Sequence, residues 1–328
     1  MLLSVMELME DGSDFRRWDD LIPDALGLIF RHLSLEEVLT VVPRVCKSWN
    51  KAVKGPYCWQ EIDIESWSNC CAPEHLDRML QMLITRSSGS LRKLSVSGLQ
   101  NDSIFSFITQ HAGSLQALSL PRSEISDSIV EQTAGRLSTV TYLDLSYCCK
   151  IGPCALETIG KHCKLLVELC RNMHPLDTAG KSTQDDEAHA IANSMPKLKR
   201  LEVAYQRIST EGVLKILSSC PELEFLELRG CWDVKLDDKF LNEKFPKLKV
   251  LGPLVKGYYE MIDWDDCSEY YSDSSDYPAW AFLAEEMGEE GDFENEEFWD
   301  DEGRIGDLEF RFFEGLEDAG FFGWPPSP

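Results

Sequence analysis

The side chains best suited to chemistry in this 328-residue chain are twelve cysteines and six histidines. A thiolate can attack a carbonyl or hold a soft metal, and an imidazole can activate it or share the metal. The spacing offers neither arrangement. There is no Cys-x-x-Cys pair, the tightest spacings are the doublets Cys70–Cys71 and Cys148–Cys149, and the histidines are scattered without ligand spacing. No metal or cofactor site is expected, and no Gly-rich phosphate loop or paired-carboxylate site stands out. The most suggestive thiol is Cys46, set in "VVPRVCKSWNKAVKGPYCWQEI" (41–62) among basic residues and two tryptophans. Cationic neighbours can activate a thiol, so the stretch reads as a reactive site, a piece of core or a docking surface.

Charge narrows the choice of partners. The net charge is −25, and residues 259–328 hold 23 acidic and 2 basic side chains, or −21. The remaining −4 makes residues 1–258 nearly neutral. Neither part offers the positive field that nucleic acid or an anionic membrane attracts. No apolar run reaches the length of a membrane-spanning helix. Residues 1–17 carry Glu7 and Glu10 and no basic segment, so they read as a flexible terminus, not an export signal. The expected location is nucleus and/or cytoplasm, where thiols stay reduced and pack as small apolar groups.

The middle of the chain is periodic. An L-x-x-L-x-L segment begins at Leu91, Leu115, Val140, Leu166, Leu198, Leu223 and Leu248, with steps of 24, 25, 26, 32, 25 and 25 residues. Alternating residues suit a strand. The intervening stretches, such as "STEGVLKILSSC" (209–220) with Ser209 as N-cap, suit helices. One strand and one helix cannot bury their apolar sides alone, but stacked copies can. "LDLSYCCKIG" and "LELRGCWDV" resemble leucine-rich repeats of the cysteine-containing subtype, with Cys148 and Cys231 at the small buried position and Ile151 and Val234 following. The resemblance implies an α/β leucine-rich-repeat solenoid over 88–254, a horseshoe with a parallel sheet inside and helices outside, and structural cysteines. The Trp-Asp pairs at Trp18, Trp232, Trp264 and Trp299 have no blade-length period.

Residues 18–62 read as three short helices. Pro23 suits a first turn. Leu26, Ile29, Phe30 and Leu33 share one face. Ser34 and Glu37 make a capping-box pattern. Pro43 should break or restart the next helix, and Val45, Trp49 and Val53 form a further stripe. That is more apolar surface than so small a unit buries by itself, and the surplus reads as a docking face. The opening "LIPDALGLIFRHL", the "VCKSW" centre and the closing tryptophan resemble an F-box, and the chain as a whole resembles plant F-box proteins with a short leucine-rich domain. The resemblance implies a substrate receptor of a Skp1–cullin–F-box ubiquitin ligase, itself non-catalytic, whose adaptor surface or its support includes Leu21, Pro23, Leu26, Ile29, Leu33, Val45, Cys46 and Trp49. Cys46 then becomes an apolar plug in a helix face. Ile22, between Leu21 and Pro23, departs from the family's usual Leu-Pro.

Residues 63–87 read as a linker and a capping helix, with Leu76, Met79, Leu80 and Leu83 on one face. A protein client is expected on the concave strand positions Lys93, Ser95, Asp144, Glu168, Arg200, Glu202, Glu227 and Arg229. Arg171, which stands where an inward apolar residue belongs, and the long loop 171–189 are next. Two rival readings remain: a non-ligase scaffold or GTPase-activating repeat protein with Arg171 as a catalytic finger, and a transcriptional co-regulator using the acidic, aromatic tail 255–328. That tail suits disorder, a partner-bound segment, or packing back on the last repeat.

Overall fold

The computed structural model describes residues 21–69, 71–174 and 185–253. Pro23 opens α1 (Pro23–Phe30), where the first turn needs no N–H. Leu26 and Phe30, one turn apart, point into the core. A Cβ on Gly27 would come within 2.9 Å of Tyr57 Cβ, so the helix lies close against the turn Pro56–Trp59. The Ser34–Glu37 capping box closes as expected: the Ser34 N–H donates to Glu37 Oε2 at 2.9 Å, and the Glu37 N–H donates to Ser34 Oγ at 3.2 Å. A wide π-helical turn (Glu37–Val41) follows, then the short α2 (Val42–Val45) with Pro43 in its first turn. Proline cannot donate to the carbonyl one turn back, and the helix changes register there.

Cys46 corrects one expectation. It sits in extended backbone (φ −163°, ψ 168°) between α2 and α3 (Lys47–Lys54), not in a helix face, and its carbonyl accepts from the Asn50 N–H. Val45 and Trp49 therefore do not share one continuous stripe.

Trp59 joins the helical module to the rest. Its ring is buried, its Nε1 donates to the Val53 carbonyl at 2.8 Å, and the Arg86 guanidinium lies 5.6 Å from its centroid. Two residues on, β1 (Glu61–Asp63) begins an eight-stranded, all-parallel sheet whose strands follow chain order. The seven periodic segments supply β2 (Lys93–Ser95), β3 (Ala117–Ser119), β4 (Tyr142–Asp144), β5 (Glu168–Cys170), β6 (Arg200–Glu202), β7 (Phe225–Glu227) and β8 (Lys249–Leu251). An eighth strand thus precedes the seven. The helix expected as a cap, α5 (Pro73–Arg86), follows the short α4 (Glu65–Ser68) and stands between β1 and β2 as a repeat helix would. It buries Leu76, Met79, Leu80, Leu83 and Ile84.

Register aligns Ile62, Leu94, Leu118, Leu143, Leu169, Leu201, Leu226 and Val250 across the sheet. This ladder faces the helices α6 (Asp102–Gln110), α7 (Asp127–Thr133), α8 (Pro153–His162), α9 (Asp185–Ser194), α10 (Thr210–Ser219) and α11 (Asp238–Lys244). Polar stitches fix the helix spacing. Asp102, Asp127 and Asp185 accept from the backbone N–H of Ser126 at 2.9 Å, of Gly152 at 2.7 Å and of Ser209 at 2.8 Å, each at the start of the following helix. Ser126 and Ser209 in turn cap their own helices. After the strand the chain turns through a left-handed residue four positions past the central leucine: Gly98, Arg122, Tyr147, Tyr205 and Gly230. At Gly230, φ +74° disfavours a side chain and the Tyr205 ring, 2.2 Å from where a Cβ would stand, excludes one.

Candidate protein-interaction surfaces

The first surface is the outside of the helical module. Its inner layer is Leu26, Phe30, Val38, Val42 and Val53, with Trp49 half-buried and its ring tilted against Phe30 at 4.9 Å between centroids. Its outer layer stays in solvent: Ile22 is 66% exposed, Val41 56% and Val45 53%, with Leu21, Leu28, Ile29 and Leu33 also exposed. Of the residues singled out from sequence, Leu21, Ile29, Leu33 and Val45 lie in this outer layer, Pro23, Cys46 and Trp49 are half-buried, and Leu26 is fully buried. Leu26 therefore supports the surface from beneath. Sequence reasoning missed Leu28 and Val41 and took Ile22 only as a departure. The available signal was that "LGLIF" is apolar nearly all round, which a helix at the edge of a small module cannot bury on one side.

The second surface is the face of the sheet opposite the helices. Lys93 is exposed there, while Ser95 is buried and donates to Glu65 Oε2 at 3.0 Å. Asp144 accepts from the Ser146 N–H at 2.8 Å and from Ser119 Oγ at 3.4 Å, and burial pushes its carboxyl up. Arg200 reaches Glu202 Oε1 at 2.6 Å and lies 3.9 Å over the Phe225 ring. Glu227 is buried and paired with Arg229 at 2.8 Å. Glu168 pairs with Arg200 in register across β5 and β6. Sequence reasoning overlooked the centre of this face. Tyr142, Cys170 and Phe225 form it, with Tyr142 Oη 3.9 Å from Cys170 Sγ. Burial pushes the Tyr142 hydroxyl well above its ordinary value and the Cys170 thiol up to about 12, so both are neutral at physiological pH. The face offers an aromatic centre with charged pairs already locked in place.

Arg171 is a correction. It is 1% exposed and occupies the inward position just past β5. Nη1 donates to the carbonyls of Leu145 at 3.3 Å and Cys148 at 3.1 Å, and Nη2 to that of Ile151 at 2.6 Å and to Glu187 Oε1 at 3.2 Å. It can neither touch a client nor act as a catalytic finger. The inserted residues 175–184 lie outside the described residues, as does the tail.

The reason for Arg171 appears in its neighbours. Cys148 Sγ and Cys231 Sγ each donate, at 3.1 Å, to the carbonyl 28 residues earlier, those of Leu120 and Val203. Gln206 Nε2 does the same for the Arg171 carbonyl at 2.6 Å. In the repeat that carries Arg171, the guanidinium itself serves the equivalent carbonyl, that of Leu145. Cys148 and Cys231 are fully buried, and burial pushes them up to about 11 and about 12. They are donors in the core, as unreactive buried thiols are.

Comparison with known proteins agrees with this geometry. The family description "F-box-like" matches residues 16–65, the stretch that carries the helical module and β1. The chain is 64% identical to the F-box protein FBW2 of Arabidopsis thaliana over 98% of this chain and 100% of that protein. It is 32% identical to the F-box protein SKIP1 of the same plant over 75% of this chain and 88% of SKIP1, and 31% identical to the putative F-box/LRR-repeat protein 23 over 74% of this chain and 54% of that one. A chain of the yeast Rad7–Elc1 complex superposes with a TM-score of 0.39 at 17% identity, over 52% of this chain and 44% of that one, too distant to carry weight. With an end-to-end relative at 64% identity and the family's module seated at the head of the sheet, the chain belongs to the plant F-box proteins.

Proposed function

We propose that this chain is the substrate-recognition subunit of a Skp1–cullin–F-box ubiquitin ligase, a non-catalytic receptor. It binds a Skp1-type adaptor through the outer layer of the helical module and a protein client through the helix-free face of the sheet. The observation that carries the reading is the split module: Leu26 and Phe30 are sealed inside while Ile22, Leu28, Ile29, Leu33, Val41 and Val45 stand in water. Apolar surface of that kind gains about 25 cal/mol per Å² when a partner covers it. Because Trp59 is locked into the module and β1 follows it directly, a client on the sheet is held at a fixed distance from the adaptor. That is the geometry a ligase needs to present lysines to a conjugating enzyme. The client patch best supported is Tyr142, Cys170, Phe225 and Arg200.

The test uses purified full chain and purified Skp1-type adaptor. Ile29→Asp together with Val45→Asp should weaken binding by about a hundredfold or more with an unchanged circular dichroism spectrum, since both side chains are exposed in the free protein. Unmodified chain that fails to bind the adaptor, or a double variant that binds equally well, overturns the reading.

A further inference from the structure

The two ends of the sheet are finished differently. At one end β1 continues from the turn that buries Trp59, under the helical module. At the other, among the described residues β8 pairs with β7 alone, so none of them lies as a strand along its far edge. An unpaired edge invites pairing with another chain, and repeat arrays need a capping unit at each end. The apolar groups at this end are also incompletely covered: Leu236, Phe245, Leu248 and Val250 are only partly buried and Phe240 is exposed.

Between residues 232 and 251 stand five lysines and four carboxylates, Asp233, Asp237, Asp238 and Glu243, of which Asp233 is taken up by Arg207. Lys235, Lys239, Lys244, Lys247 and Lys249 are all exposed, and among the described residues none of them is ion-paired to a carboxylate. Lys244 Nζ instead lies 5.3 Å over the Phe240 ring and 5.8 Å over Phe245. The surface is therefore a set of cations interleaved with apolar rings around an open strand edge.

We propose that residues 258–271 of this same chain, "YYEMIDWDDCSEYY", cover that edge. The segment holds five acidic residues, five aromatic residues and no basic one, which complements lysines set among phenylalanines. It is also near. The described chain leaves β8 at Pro253, whose carbonyl accepts from the Gly230 N–H at 3.0 Å. The four residues to Gly257 reach about 13 Å when extended, more than twice the ~4.8 Å between neighbouring strands. A covalent tether this short gives an effective concentration in the millimolar range, so modest contacts suffice. The rest of the acidic tail adds a long-range pull toward the same lysines.

Zero-length carbodiimide cross-linking of the dilute full chain, with hydrogen exchange at β8, tests this. Cross-links are expected between Lys239, Lys247 or Lys249 and Glu260, Asp263, Asp265 or Asp266 within monomers. Amides of Lys249–Leu251 should exchange about tenfold or more slowly compared with a Lys239→Glu/Lys247→Glu/Lys249→Glu variant. Protection should return when Glu260, Asp263 and Asp265 are changed to Lys in that variant. Exchange at β4 serves as the internal control for folding. Cross-links found only between two copies would mean that a second molecule covers the edge. Exchange unaffected by lysine reversal would mean that nothing acidic is held there. Either result overturns the proposal.

Discussion

The helical module and the parallel solenoid are built from the same kinds of side chain and finish them in opposite ways. In the solenoid each apolar ladder is closed by the next copy, so Leu94, Leu118, Leu169, Leu201 and Leu226 all reach zero exposure. In the module none of the described residues stacks on the outer side of α1 and α2, and Ile29 and Val45 remain in water beside the sealed Leu26 and Val42. Stacking, not hydropathy, decides which apolar residue is core. The solenoid encloses polar groups that must find partners inside it, and among the described residues only Ser97 Oγ, Arg171 Nε and Glu187 Oε2 are buried without one, whereas the module leaves apolar groups in water.

The largest test of that contrast is Glu187→Ala. It would strand the Arg171 charge among carbonyls, and breaking a buried pair in this way costs about 3–5 kcal/mol. The control is the Arg207–Asp233 pair, which is closer at 2.8 Å against 3.2 Å but solvent-exposed. Asp233→Ala should cost only about 0–1 kcal/mol, because water and salt already screen it. Denaturant midpoints at constant slope measure both. Equal losses would mean that the solenoid interior is wetter than its burial suggests.

The next test sits within one helix. Leu26→Ala should destabilise by about 2–5 kcal/mol through lost burial and a cavity, and Ile29→Ala by about 0.5 kcal/mol or less. If Ile29→Ala costs as much as Leu26→Ala in the free chain, the outer layer of the module is already covered and the contrast with the solenoid fails.

These two tests also mark what sequence could and could not show. Seven strand segments, the Ser34–Glu37 box, the break at Pro43 and the Ser209 cap are local features, and each is legible because its cause lies within a few residues. β1 escaped because "QEIDI" lacks the L-x-x-L-x-L frame that identifies the others, although Ile62 aligns with Leu94 in the ladder. Arg171 stands in an inward slot yet reads from sequence as a client contact, because the groups that let a cation be buried there are distant in sequence: its acceptors are 20 to 26 residues earlier and Glu187 is 16 later. The split of α1 escaped because an eight-residue helix that is apolar nearly all round has no periodic face to read. Tyr142, Cys170 and Phe225 escaped on the helix-free face because an uncharged aromatic or thiol in a strand segment reads equally well as core.

The smallest expected effect comes from the thiols that the solenoid uses as core donors. Cys148 is raised from 9.0 to about 11 by desolvation, partly offset by a hydrogen bond with the Ser123 backbone and then by Arg171. The folded state therefore keeps its proton after the unfolded chain has lost it. Stability from this group is fully present below pH 9, the unfolded value, and is lost as pH rises toward and through about 11, because ionisation is open to the unfolded chain first. At pH 10 the loss is about 1 kcal/mol for this thiol. Cys148→Ala lowers stability at every pH through lost packing, so the informative quantity is the slope: the variant should lose less between pH 8.5 and 10.5 than the parent chain. Cys154, exposed on α8, should react with a thiol reagent in the native state while Cys148 waits for unfolding. Parallel slopes together with prompt labelling of Cys148 would place that sulfur in contact with water, and would remove the clearest case of the solenoid satisfying its own interior.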